Sequence, residues 1–343
     1  MNTNPLMQSA TTAQATQANN PTSPLFKPIP GDTRLTTFPI NRPGLWAWYE
    51  DALNCVWTPN EVPIGRDAFD YKTKLCNKQK RFVNHVLAFF AASDGIININ
   101  LASRFKQDVQ MLEAGYFYDF QITMENIHAQ MYGILINGII PSEAKRIQLQ
   151  NAVTTMAIIT KITNWITSCI DSNAPFAERL LRMACVEGIL FTGCFCAIYW
   201  LQGQGLMPGL AQSNELIARD EALHTMFAMY LYSMLEPEHK IIEKKIVGIF
   251  TEAVDLGKEF FAEALPEGMA EMNSELMANY IENQADNLLT LINVKEIYHS
   301  KHNFHFMEKL NLANRSNFFE RRVSEYSKPT EVSAIAYEIS NDF

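Results

Sequence analysis

The spacing of apolar positions predicts a chain built from long helices. Across residues 77 to 104, Val83, Val86, Leu87, Phe90 and Ile97, with Asp94 among them, fall at steps of three and four, the repeat of one helix face. A second such pattern covers 108 to 136 and stops at Asn137-Gly138 and Pro141. Ser142 is placed to cap a third, which reaches about Ile170. The fourth starts at Ala174-Pro175 and ends at Gly203-Gln204-Gly205. The fifth covers 210 to 235 and is closed by Pro237, and the segments 239 to 263 and 269 to 290 complete the series. Period-two alternation is scarce, so the expected fold class is all-α.

The two ends break this pattern. Residues 1 to about 30 are rich in Asn, Thr, Gln, Ser and Pro and nearly free of aromatics, which predicts a disordered tail. Trp46, Trp48, Tyr49 and Trp57 follow, with Pro43, Pro59 and Pro63 limiting helices to short pieces, so 39 to 62 should lie across the outside of a bundle. The expected helical domain is 31–313, with a C-terminal tail over 314–343.

Composition narrows the function classes. Hydrophobic residues make up 48% and charged ones 19%, the balance of a globular, helix-leaning protein. A net charge of -9 leaves no basic groove for nucleic acid. The longest apolar run, Gly188 to Leu201, falls short of the ~18 to 20 residues of a spanning helix, so no membrane segment is expected. The six cysteines form no Cys-x-x-Cys pair and precede no His at zinc spacing, and buried reduced thiols with a cytoplasmic location are the default.

Two short motifs carry the chemistry. In Glu125-Asn-Ile-His128 and Glu221-Ala-Leu-His224, a carboxylate and an imidazole three residues apart share one helix face. A four-helix bundle holding a carboxylate-bridged metal pair needs two such helices and two more that each supply one inward carboxylate. Asp94 and Glu187 are the candidates for these. Glu187 sits in an apolar run where an unpaired carboxylate would cost several kcal/mol. The competing readings are a pair with Arg179 or Arg182 for Glu187, and a helix-end cap for Asp94. Four carboxylates and two imidazoles suit iron or manganese, and the lack of thiolates argues against copper or zinc. Tyr132 is one turn past His128 on the same face, beside any metal held there. Asp220 points about 100 degrees away from Glu221 and is placed to accept from the other nitrogen of a ligand imidazole, unless it pairs with Arg219. Phe191 and Phe195 follow Glu187 at steps of four and Ile217 precedes Glu221 by four, which makes them either plain core or the lining of a dry pocket around Tyr132.

These residues resemble the small, radical-generating subunit of class I ribonucleotide reductase, closest to the eukaryotic and viral type. The resemblance rests on 82 to 96, 125 to 132, Val-Glu-Gly-Ile at 186 to 189, Gly-Leu-Met-Pro-Gly-Leu at 205 to 210, 213 to 224, and Asn-Phe-Phe-Glu-Arg-Arg-Val at 317 to 323. It implies a ferritin-like bundle with additional helices and two iron ions per chain, with manganese possible and O2 as the activating oxidant. Asp94, Glu125 and His128 would hold the metal nearer the tyrosine and Glu187, Glu221 and His224 the other, with Glu125 and Glu221 bridging. It further implies that Tyr132 is the radical tyrosine and that Trp57 and Asp220 link the site to the subunit surface. Tyr326 would pass the radical to a large (alpha) subunit, and the terminal peptide with Tyr337, Asp342 and Phe343 would dock there. The chain would act as a homodimer in ribonucleoside-diphosphate reduction, supplying deoxyribonucleotides for DNA. A stand-alone di-iron oxidase on the same bundle is the main alternative reading; a ferritin-like store and a silent reductase partner are weaker ones.

Overall fold

In the computed structural model, runs with three-and-four spacing form helices. Residues 24–301 are described, except 33, 34, 171, 172 and 270, together with Phe304 and Met307. The chain divides into two compact units, 1–303 and 304–343, and the architecture below is that of the first. Tyr326, Tyr337, Asp342 and Phe343, and the expected domain boundary at 313, lie outside the described residues.

The helices are α1 (Pro43–Leu53), α2 (Asp67–Thr73), α3 (Asn77–Asn100), α4 (Lys106–Asp108), α5 (Leu112–Ile139), α6 (Glu143–Gln150), α7 (Ala152–Thr155), α8 (Ala157–Ile170), α9 (Phe176–Cys185), α10 (Thr192–Gly203), α11 (Pro208–Met234), α12 (Glu243–Ala264) and α13 (Ser274–Leu291). Only isolated bridges such as Phe26 with Leu235 interrupt the helical pattern among the described residues. The fold is all-α. The core pairs α3 with α5 and α9–α10 with α11, while α11 also meets α5. α12 and α13 pack together, α12 against α9 and α13 against α10.

Several boundaries differ from the sequence expectation for identifiable reasons. α5 runs through Asn137-Gly138 to Ile139, because Gly138 has a packing role: a Cβ there would overlap the side chain of Ile64. The third expected helix is broken into α6, α7 and α8. Asn151 turns its side-chain amide onto the carbonyl of Ile147 at 2.8 Å, and Met156 is extended, so local polar bonding competes with the helix. Within the stretch expected to be a disordered tail, Phe26 is buried with its ring 6.0 Å from that of Phe176, since one aromatic suffices to anchor a segment the average composition leaves loose.

Two π-helical stretches were not foreseen. Leu101–Phe105 joins α3 to α4, and Val186–Phe191 joins α9 to α10 and carries Glu187. Such wide turns leave carbonyls offset from the α ladder. Thr192 Oγ1 donates to the Glu187 carbonyl at 3.1 Å and satisfies one of them. Gly188 belongs to the same turn. A Cβ there would sit 2.8 Å from Thr225 and 2.7 Å from Leu288, so glycine lets α11 and α13 close on the turn.

By length and composition α3–α4 (Asn77–Asp108) and α9–α10 (Phe176–Gly203) could cross a membrane, beyond what the 14-residue run suggested. The second is 94% buried over its most apolar window, as a core helix of this bundle must be.

Candidate metal centre

Four helices deliver the six expected side chains to one place. Asp94 comes from α3, Glu125 and His128 from α5, Glu187 from the π-helical turn, and Glu221 and His224 from α11. All six are buried, none more than 3% exposed. One donor atom each from Glu125, Glu187, Glu221 and His224 lies within 4.8 Å of the others, the spacing of ligands around a shared ion. Asp94 and His128 stand outside that group but adjoin it. His128 Nδ1 is 3.0 Å from Glu221 Oε1 and 3.6 Å from Glu125 Oε2, while His224 Nδ1 is 3.1 Å from Glu125 Oε1 and 3.3 Å from Glu221 Oε2.

Each of the two glutamates therefore sets one oxygen against each imidazole. Such carboxylates could each reach two cation positions at once, which is what a carboxylate-bridged site in a helical bundle would need.

The polar balance demands a cation. Both oxygens of Asp94, both of Glu125, Oε2 of Glu187 and Oε1 of Glu221 are buried without a hydrogen-bond partner. No Lys or Arg within ion-pair distance of these four carboxylates occurs among the described residues. Arg179 instead pairs with Asp108 at 2.6 Å, and Arg182 with Glu178 at 3.5 Å and Glu252 at 3.4 Å, so the competing reading for Glu187 fails. Its neighbour is Gln121, whose Nε2 donates to Glu187 Oε1 at 3.3 Å. Asp94 lies more than a turn inside α3 and caps no helix end. Holding Asp94 or Glu187 charged here without a cation would cost several kcal/mol each. Orphaned carboxylate oxygens and two imidazoles form a donor set that fits divalent iron or manganese.

Protonation follows from the same crowding. Burial pushes the Asp94 carboxyl well above the usual range and the charge of Glu125 adds to it; Glu187 is raised by burial and by Glu221. Glu125 moves the other way, to about 2, because the close imidazoles of His128 and His224, at 3.6 and 3.1 Å, outweigh its burial. For both histidines burial works downward, but Asp220, Glu125 and Glu221 around His128, and Glu221 and Glu125 around His224, outweigh it and hold them well above an ordinary imidazole.

Beside the cluster, Tyr132 is 2% exposed and its hydroxyl has no hydrogen-bond partner. Burial, reinforced by the charge of Asp94, raises its pKa well above that of a free phenol, so the proton stays on the oxygen. Its ring stacks on Phe90, with centroids 4.7 Å apart and planes 10° off parallel. Phe191 and Phe195 each reach Phe90 at 5.1 Å, and Ile217 is buried on α11 one turn before Glu221. Phe90 thus faces the phenol, and the residues behind it are apolar.

Sequence reasoning missed Phe90 and Gln121 as parts of the site. Both were legible by the rule used for Phe191, since Phe90 precedes Asp94 and Gln121 precedes Glu125 by four residues.

On the opposite side of His128, Asp220 Oδ2 accepts from Trp57 Nε1 at 2.7 Å and lies 3.0 Å from His128 Nε2. A carboxylate only accepts, so Nε2 carries a proton toward Asp220, and the raised pKa keeps a second on Nδ1 toward the two glutamates, one that a metal ligand there would have to lose. The Trp57 ring stacks on His128 at 6.0 Å and 21°, and Trp57 is buried. Asp220 also lies 3.4 Å from Arg219, so the surface pair and the inward bonds coexist.

With this geometry in place, likeness to known proteins becomes interpretable. The family description "Ribonucleotide reductase, small chain" matches residues 34–304. The ribonucleoside-diphosphate reductase small chain of Nicotiana tabacum is 45% identical over 315 residues, covering 92% of this protein and 94% of that one. The small subunit of Dictyostelium discoideum is 46% identical over 297 residues, covering 86% and 87%. Among solved structures, the Rnr4 homodimer of Saccharomyces cerevisiae aligns with a TM-score of 0.74 at 32% identity, covering 86% of this protein and 90% of that one. The protein belongs to the ribonucleotide reductase small-chain family.

Proposed function

We propose that Asp94, Glu125, His128, Glu187, Glu221 and His224 hold two iron ions, with manganese the competing metal, and that Tyr132 is the residue oxidised to a radical. The observation that carries this reading is the pair Glu125 and Glu221, each facing both imidazoles beside a buried, unpartnered phenol. When bound, the metal pair supplies with O2 the oxidising power that takes one electron and one proton from that phenol.

The chain's own side chains do the rest. Phe90, Phe191, Phe195 and Ile217 keep water from the Tyr132 oxygen, and the lack of a hydrogen-bond partner leaves the oxidised ring without a neighbouring donor to quench it. Asp220 orients His128 by its Nε2–H and holds the Trp57 indole by the same oxygen. This gives a bonded path from cluster to indole. Trp57, and Tyr326 beyond the described residues, would carry the oxidising equivalent onward.

A small chain implies a large-subunit partner, and reduction of ribonucleoside diphosphates takes place with it. The terminal peptide with Tyr337, Asp342 and Phe343 is the proposed docking element. A homodimer is supported by the homodimeric Rnr4 relative and by α3–α4, where 56% of the most apolar window is buried and Ile99 is 63% exposed. The buried thiols of Cys169, Cys185, Cys194 and Cys196 fit a reducing, cytoplasmic location.

Metal analysis of protein loaded without oxygen tests the assignment. Two ions per chain, and deoxyribonucleotide formation after O2 exposure and addition of the large subunit, are expected. One ion or none would overturn the two-metal assignment, whereas two ions with O2 consumption and no nucleotide reduction would favour the stand-alone di-iron oxidase reading.

A further inference from the structure

The segment before α3 is stitched to α11 at five places. Asp70 Oδ2 accepts from Met207 N at 3.2 Å, and Asp67 accepts from Gly209 N at 2.9 Å and from Leu210 N at 2.6 Å, one with each carboxylate oxygen. Gln212 Nε2 donates to the Glu61 carbonyl at 3.2 Å and Arg219 Nη2 to that of Cys55 at 2.5 Å, before Trp57 meets Asp220. From residue 70 back to 55 the partners move from Met207, just before α11, up that helix to Asp220 and Arg219. Asp67 and Asp70 are fully buried; Asp70 also pairs with Lys74 at 2.7 Å and Arg66 at 3.5 Å, whereas the bonds of Asp67 go to backbone. Gly209 allows the contact: a Cβ there would lie 2.8 Å from the Pro63 carbonyl oxygen and 2.9 Å from Ile64 Cα.

We propose that Asp67 is a positioning residue for the relay: by clamping the first turn of α11 it sets the approach of Trp57 to Asp220. The inference rests on the relay reading of Trp57, Asp220 and His128 given above. Two amide donors and a helix N-terminus meet one carboxylate, so the clamp fixes both the depth and the rotation of α11 against the Trp57 segment. Its effect falls on transfer. The phenol is on α5, outside the clamped pair of segments.

Full-length Asp67→Ala, Asp67→Asn and Gly209→Ala, metal-loaded and assayed with the large subunit, test it. Radical per chain by electron paramagnetic resonance is expected to match wild type, while kcat falls on the order of tenfold for Asp67→Ala with the apparent KM for the large subunit unchanged. Asp67→Asn should recover part of kcat, since its amide oxygen still accepts one bond. Gly209→Ala should lower kcat without any change of charge. Wild-type kcat in all three variants, with only a lower Tm, would overturn the clamp and leave the relay standing. Radical falling in step with kcat would also overturn it, by showing that the contact serves the metal ligands. Wild-type protein that makes radical but reduces no nucleotide would overturn the relay reading and the clamp with it.

Discussion

Glu125 and Glu221 stand on different helices, yet each carboxylate places one oxygen against His128 and the other against His224, at 3.0 to 3.6 Å. Metal held among these groups would meet buried oxygens that have no partner in the fold, and would then serve the structure as well as the chemistry.

Glu187→Gln should separate those two roles. In chelated protein the substitution removes a buried, unpaired carboxyl and is expected to leave stability unchanged or raise it by about 1 kcal/mol. In loaded protein it should lower both metal content and Tm. Melting curves with and without chelator read the difference, and an equal loss in both states would deny Glu187 a place at the metal.

The pH dependence should reverse on loading. Asp94, Glu187, His128 and His224 all have raised pKa values in the metal-free fold, so that fold binds more protons than the unfolded chain. Their contribution is present at low pH and lost as pH rises through those raised values, so chelated protein should be more stable near about pH 6 than near about pH 8. Glu125, held at about 2, opposes this only in acid. Metal must displace the same protons, so loading should strengthen as pH rises and release on the order of four protons, measurable by calorimetry in buffers of different ionisation enthalpy.

Trp57→Phe keeps the aromatic stack on His128 and removes the donor to Asp220. Radical formation should persist, whereas nucleotide reduction with the large subunit should fall by about a hundredfold. Parallel activity assays and radical quantitation check this, and loss of both together would place Trp57 in metal assembly instead of transfer.

Phe90→Leu opens space against the Tyr132 ring. A stability cost of about 1 kcal/mol and a severalfold shorter radical lifetime are expected. Decay followed at fixed temperature, with initial yield unchanged, measures it.

Removing residues 337 to 343 should abolish large-subunit binding and nucleotide reduction while leaving radical yield intact. Pull-down and activity assays on the shortened protein read both.

Much of this was legible in the sequence because ligand residues declare themselves by spacing. Glu125 with His128 and Glu221 with His224 follow from helical repeat alone, and Asp220 from the rotation of one residue about the axis. Trp57 was placed by family likeness, and its bond to Asp220 emerged only in three dimensions. The π-helical turn under Glu187 left no local signal beyond Gly188, since its cause is the close approach of Thr225 and Leu288 from distant helices. Gly138 misled for the same reason: Ile64, far away in the chain, decides that it packs inside a helix. Asn151 is a local cause, but a single Asn inside an amphipathic run reads as tolerated until its side chain is seen on the Ile147 carbonyl.

The most direct measurement is electron paramagnetic resonance on protein built with ring-deuterated tyrosine, loaded with ferrous iron without oxygen and then exposed to O2. The account predicts a tyrosyl signal whose hyperfine splitting narrows on deuteration and which disappears in Tyr132→Phe. The same signal persisting in that variant, or none in wild-type protein carrying two iron ions per chain, would contradict it.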